Sequence, residues 1–117
     1  MSPSVVFSGD RAIATLGAPG GAWIPIAILQ VLINILDFGM GIQEAVMAPR
    51  FSATSDAIDI SNRITRTTER ELEAMGYPVR RSPLSYAFAG VHGITMFDGR
   101  LEGGADPQRD GYAAGVA

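Results

Sequence analysis

Between Pro25 and Phe38 the only polar residues are Gln30, Asn34 and Asp37. Spaced four and three apart, they fall on one narrow stripe of a helix and leave every other direction apolar. Pro25 suits a first-turn position, where no N–H partner is needed, and Gly39 suits the exit. A helix of this kind needs cover on more than one side. A lone two-layer domain would leave part of it wet, so the segment calls for self-association into a homo-oligomer or for a place in a larger layered fold.

A glycine-rich turn, Gly17-Ala18-Pro19-Gly20-Gly21, leads into this helix from an alternating, strand-like run. Bare backbone N–H groups at the start of a helix can hold a negative oxygen or a phosphate without any side chain. Glycines between a strand and a helix also serve as plain steric relief. The turn by itself is compatible with both.

The chain has 117 residues, 47% of them hydrophobic, enough for one core and hardly for two; one compact unit is expected. Its net charge of −3, from 9 Lys+Arg against 12 Asp+Glu, supplies no basic field for nucleic acid and no polybasic patch for anionic lipid. The absence of cysteine excludes disulfides, thiolate nucleophiles and Cys-based zinc sites, and suits a reducing or an oxidising compartment equally. No cationic start followed by an apolar stretch stands at Met1, and the longest apolar run, Ile24 to Phe38, is shorter than the roughly 20 residues of a bilayer span. The expectation is a soluble chain with neither nucleic acid nor membrane as partner.

Element types alternate along the chain. Ser4 to Phe7 and Arg11 to Leu16 read as a β-hairpin about Ser8-Gly9-Asp10. After the long helix, a shorter one from Gly41 or Ile42 to Ala48 stops before Pro49, because the residue before proline is pushed out of the helical region. Ala57-Ile58-Asp59-Ile60 alternates as a strand. Thr65 to Met75 reads as an amphipathic helix with Thr68 and Glu71 at capping-box spacing, ended by Gly76 and Pro78. A loop through Ser82-Pro83 leads to a strand from Val91 to Phe97, an Asp98-Gly99 hairpin turn and a short return through Leu101. This order predicts an α+β fold, an antiparallel sheet covered by helices on one face.

Candidate side chains for chemistry are few. His92 is the only histidine, flanked by Gly93 in a strand and without metal-binding companions, so it reads as a core or sheet residue. Asp98, Glu102, Asp106 and Asp110 do not follow calcium-loop spacing and coincide with glycine and proline turns, which makes them turn formers. Arg63, Arg66 and Arg70 interleave with Glu69, Glu71 and Glu73 as on a solvated helix face. Trp23 is either a pocket wall or packing at a helix start. No cofactor and no metal is expected.

Taken in order, Met1-Ser2-Pro3-Ser4-Val5-Val6-Phe7, Gly17-Ala18-Pro19-Gly20-Gly21, Ile28-Leu29-Gln30-Val31-Leu32-Ile33-Asn34-Ile35-Leu36-Asp37-Phe38-Gly39-Met40, Gln43-Glu44-Ala45-Val46, Ala48-Pro49-Arg50-Phe51, Asp98-Gly99-Arg100-Leu101-Glu102-Gly103-Gly104-Ala105-Asp106-Pro107 and Asp110-Gly111 resemble the C-terminal portion of the small subunit of gamma-glutamyltranspeptidases. The resemblance covers the whole chain. It implies a single-domain fragment, residues 1–117, of an N-terminal-nucleophile hydrolase with an αββα sandwich, made from a precursor that cleaves itself into two subunits. The rest of that precursor and a gamma-glutamyl small molecule are the implied partners, and a periplasmic or extracellular location is suggested by the family alone.

By the same resemblance Gly20 and Gly21 match the family's glycine pair, whose backbone N–H groups form the oxyanion hole. A Cβ there would crowd the approaching acyl group. The nucleophile is an N-terminal threonine whose free amine is its base, and none is expected in this chain: Thr15, Thr54, Thr65, Thr67, Thr68 and Thr95 all have amines tied into peptide bonds. Met1-Ser2-Pro3 matches the residues just after the family's paired substrate-binding serines. The family's serine before Pro-Gly-Gly and Ser-Arg after it are here Ala18 and Ala22-Trp23, which puts substrate preference in question. A cephalosporin-acylase-like or poly-glutamate-processing relative shares the same features, and a non-catalytic binding or scaffold module of the same fold is the alternative outside enzymology.

Overall fold

The computed structural model describes residues 1–116. Length alone leads one to expect one compact unit, but contacts divide the chain into two: Met1–Ala48 with Ala89–Ala117, and Pro49–Phe88. Each has a sheet of its own.

The first unit holds a four-stranded antiparallel sheet in the order β1-β2-β6-β7, formed by β1 (Ser4–Ser8), β2 (Arg11–Gly17), β6 (His92–Phe97) and β7 (Arg100–Ala105). Gly9, at φ 59, makes the first hairpin turn, and Asp98 and Gly99, at φ 50 and 76, make the second in the mirror-image geometry that suits strand twist. The return strand is longer than its sequence suggests. It pairs with β6 from Phe97↔Arg100 to His92↔Ala105, through Gly103 and Gly104.

Register sets the faces. Val6↔Ala14, Ala14↔Thr95 and Leu16↔Gly93↔Gly104 share one side of the sheet. On that side lies α1 (Ile24–Leu36), which buries Ile24, Ala27, Ile28, Val31 and Ile35. They join Ala14, Leu16, Ala18, Ala89 and Val91 in one cluster. Each fully buried Val, Leu or Ile side chain there contributes about 1.5–3 kcal/mol. Pro25 occupies the first turn, and Gly39, at φ 68, follows the end of the helix. The other side of α1 remains open: Leu29 is 50% and Leu36 48% exposed.

The shorter helix α2 (Ile42–Met47) ends where Ala48 turns extended before Pro49. It lies flat on β7, because a Cβ on Gly104 would stand 2.8 Å from Ile42 Cγ1 and 2.9 Å from the Ile42 carbonyl carbon. The Gln43 amide donates from Nε2 to the Ala105 carbonyl at 3.0 Å and accepts from its N–H at 3.1 Å, capping the open edge of the sheet. On the opposite face, residues 111–116 follow the sheet. A Cβ on Gly103 would meet Ala113 at 2.9 Å, and Gly111 lies against the His92 imidazole.

The second unit is a small mixed sheet, order β3-β4-β5, from β3 (Phe51–Ser52), β4 (Ile58–Ile60) and β5 (Val79–Arg81). The parallel pair β4–β5 corrects the expectation of purely antiparallel pairing, and β5 stands where the sequence suggests a loop. Its crossover carries α3 (Arg66–Ala74). Thr65, not Thr68, caps this helix: its hydroxyl accepts from the Thr68 N–H at 3.2 Å. The Thr68/Glu71 box is not formed, since Thr68 is already inside the first turn. At the far end Tyr77 N–H bonds the Leu72 carbonyl and Gly76 N–H the Glu73 carbonyl, with Gly76 at φ 93, a Schellman termination.

The arginines are less idle than a solvated face implies. Arg81 donates to Glu69 at 2.6 and 2.9 Å and to the carbonyls of Asn62 and Ile64 at 2.9 and 2.8 Å, tying β5 to α3 and the turn before it. These bonds from Arg81, with a further one from Arg66, hold the Glu69 carboxyl below its ordinary range. Arg63 lies outside the helix, donates to the Ser85 carbonyl and stacks over Tyr86 at 4.6 Å.

Candidate active site

The glycine turn sits where β2 ends. The β2–β6 ladder closes at Gly17↔His92, and the chain then passes Ala18 and Pro19 into Gly20, at φ 144 and ψ 19, and Gly21, at φ 63. Both values lie where side chains are disfavoured. Gly21–Trp23 form a single 3-10 turn that runs directly into α1. The Gly20 carbonyl accepts from Trp23 N–H at 3.4 Å. Among the described residues no acceptor receives the N–H of Gly20 or of Gly21. The result is a bend that offers two adjacent donors at a helix start, where the peptide dipoles also favour negative charge.

The reason for glycine differs between the two. A Cβ built on Gly21 meets nothing within 4 Å, whereas one on Gly20 would stand 2.5 Å from Ala89 Cβ and 2.7 Å from Ala89 Cα. The neighbour of Gly20 is thus the protein's own backbone rather than an incoming acyl group.

Around the turn, Ala18 is 1% exposed and belongs to the core. It cannot shape the polarity of a pocket wall in this unit. Ala22 and Trp23 are outward, Trp23 at 46% exposure, so packing at the helix start leaves about half of the indole uncovered. His92 stands in β6 between Gly17 and Ala105.

The acidic residues part company. Asp98 and Asp110 occupy left-handed turns, as turn formers do. Glu102 lies within β7 and pairs with Arg100 at 3.0 Å. Asp106 is fully buried and accepts from Val91 N–H, Gln108 N–H and Gln108 Nε2 at 3.3, 3.1 and 3.0 Å. The only trace of this in the sequence is Asp106-Pro107, the signature of a capped turn. Among the described residues no group of three or more His, Asp or Glu could hold a metal ion, and no helix is long and apolar enough to cross a membrane.

Comparison with known proteins shows the family of the chain. The sequence profile for gamma-glutamyltranspeptidase matches residues 1–116. The glutathione hydrolase proenzyme of Bacillus subtilis (strain 168) is 29% identical over 117 residues, 99% of this chain and 20% of that protein. Gamma-glutamyltranspeptidase from Pseudomonas nitroreducens, solved with L-DON, superposes with a TM-score of 0.86 at 31% identity, over 100% of this chain and 62% of that one. Cephalosporin acylase from Bacillus halodurans superposes with a TM-score of 0.88 at 28% identity, over 96% of this chain and 22% of that one. The α+β fold is that of the N-terminal-nucleophile hydrolases. Within that class the chain belongs to the gamma-glutamyltranspeptidase family, and it spans about a fifth of the length of the curated relatives it matches.

Proposed function

We propose that these residues are the C-terminal part of the small, catalytic subunit of a gamma-glutamyltransferase or glutathione hydrolase, and that Gly20 and Gly21 supply its oxyanion hole. The observation that carries this is the turn itself: consecutive glycines at positive φ, at a helix start, with their N–H groups directed at no acceptor among the described residues. When a nucleophile attacks a gamma-glutamyl amide, the carbonyl oxygen becomes an alkoxide. Two N–H donors already in position stabilise it without reorganisation, and removing one such donor costs roughly 100- to 1000-fold in kcat.

The nucleophile comes from the rest of the precursor, as an N-terminal threonine whose amine takes the hydroxyl proton. No threonine within a polypeptide can play that part. The proenzyme relatives, which extend far beyond this chain, support the remainder of a precursor as its partner.

The test is to express the complete reading frame that carries this segment. Self-cleavage should yield a smaller chain that begins with threonine, read by N-terminal sequencing, and the product should release a chromogenic amine from a gamma-glutamyl anilide. The 117-residue polypeptide alone should release none. Release by the polypeptide alone, or a parent with no threonine-led chain, refutes the reading; the second outcome leaves a binding module. A second reading, an acylase for bulkier acyl groups, is favoured by one observation, the exposed Trp23 beside Ala22 at the turn. It predicts that the parent prefers amides without a gamma-glutamyl group.

A further inference from the structure

The segment that leads into β6 reaches the glycine turn from the other side, and a second device near the C-terminus holds that segment. Beyond Gly17↔His92, the β2–β6 register continued three further steps places Gly20 opposite Ala89. The two meet there, with the Ala89 methyl and Cα filling the space of a Cβ on Gly20. Ala89 is itself 0% exposed and follows Phe88, a non-glycine residue at φ 74. Such a backbone is maintained only by its surroundings.

The contacts that hold residues 90 and 91, just beyond Ala89, are identifiable. Asp106 N–H donates to the Val91 carbonyl at 3.2 Å, and the Asp106 carboxylate accepts from Val91 N–H at 3.3 Å. The same carboxylate receives both N–H and Nε2 of Gln108. The 3-10 turn Pro107–Arg109 is thereby laid on Gly90, where a Cβ would meet Arg109 Cγ at 2.5 Å and Gln108 Cγ at 3.2 Å. The order of contact runs from Asp106 to Val91, then Gly90 and Ala89, and finally Gly20.

We propose that Ala89 and Asp106 are positioning residues for the oxyanion turn: Asp106 clamps the 89–91 segment, and the Ala89 methyl is the stop against which Gly20 rests. This rests on the oxyanion reading of Gly20 and Gly21. It adds residues that touch no substrate and lie 69 and 86 positions from Gly20. It also assigns a role to the one fully buried carboxylate among the described residues.

The test uses the complete, self-cleaved enzyme. Ala89→Val adds bulk to the stop and Ala89→Gly removes it, while Ala89→Ser keeps a Cβ of the same kind. Expected for Ala89→Val is a fall in kcat of about 100-fold with KM within threefold, by analogy with misplacing one oxyanion donor. Affinity for a boronate, which mimics the tetrahedral oxyanion, should fall by the same factor, and affinity for a planar amide inhibitor should hold. Ala89→Gly should fall less, about 10-fold in kcat, and Ala89→Ser should restore it. Ala89→Gly serves as the deciding variant if Ala89→Val does not fold, because it adds no atoms. Asp106→Asn should reproduce the kcat and boronate losses, and Asp98→Asn in the exposed hairpin turn should not. The inference is overturned if soluble Ala89→Gly and Asp106→Asn keep kcat within threefold while Gly20→Ala loses it. It is equally overturned if planar-amide and boronate affinities fall together. If Gly20→Ala itself turns over normally, the oxyanion reading fails and takes this inference with it.

Discussion

Replacing Gly20 and Gly21 separately by alanine separates the two physical reasons for glycine at this turn. At Gly20 the new methyl would stand 2.5 Å from Ala89 Cβ and 2.7 Å from its Cα, where ordinary contact begins at 3.4 Å. The turn or Ala89 must therefore retreat by about 0.9 Å, the difference between 3.4 Å and the nearest distance of 2.5 Å. Ala89 is fully buried and so cannot yield cheaply. A misplacement of about 1 Å costs on the order of 100-fold in rate. At Gly21 the methyl meets nothing within 4 Å, and the cost is that of a left-handed alanine, about 1–2 kcal/mol of stability. In the complete proenzyme, Gly20→Ala should thus lower kcat about 100-fold with KM little changed. Gly21→Ala should show its larger effect in the melting curve and a smaller one in kcat. The assay pairs steady-state release from a gamma-glutamyl anilide with gel quantification of self-cleavage and urea unfolding of the processed enzyme. Normal kcat in Gly20→Ala, or the reverse order of the two variants in kcat, refutes the reasoning.

Other outcomes follow from burial and charge. Ile35, 5% exposed on α1, should cost about 2–5 kcal/mol when cut to alanine. Leu32, only half-buried at the margin of the core, should cost distinctly less in the same urea titration. The isolated polypeptide should self-associate, because Leu29 and Leu36 leave an apolar side of α1 open; a clean monomer by light scattering at high concentration contradicts this. The Glu69 carboxyl, held below its ordinary 4.5 mainly by the bonds from Arg81, should titrate by NMR with a midpoint below that value. Because its folded pKa is depressed, the stability it contributes is present above pH 4.5 and is lost as pH falls through the lower folded value. Glu69→Gln should flatten that acid dependence, and an unchanged profile would show that the pair with Arg81 is not formed in solution.

Much of the first unit could be read locally. The hairpin about Gly9, α1 with its proline start and glycine exit, the stop of α2 before Pro49 and the Asp98-Gly99 turn all depend on periodicity, on proline sterics or on left-handed φ. Such causes act within a few residues, so they are visible in the chain itself. The three-residue β5 was not, because Val79-Arg80-Arg81 is too short to show alternation. It becomes a strand only through parallel pairing with β4 and the bonds from Arg81 to Glu69, Asn62 and Ile64.

The candidate site divides along the same line. Residue types and order alone marked Gly17 to Gly21 as a turn able to present donors or to relieve crowding, since lack of a side chain is a property of the residue; Gly20 and Gly21 were singled out by the family resemblance. That Ala18 is core and not pocket wall, that Asp106 is buried with three donors, and that Ala89 closes on Gly20 were decided by tertiary structure alone. Each depends on segments tens of residues apart meeting in space, and Asp106 among turn residues or Ala89 among small ones carries no local mark of its partner. Local sterics belong to the sequence by itself; which backbone lies against which glycine is settled only when the sheet has closed.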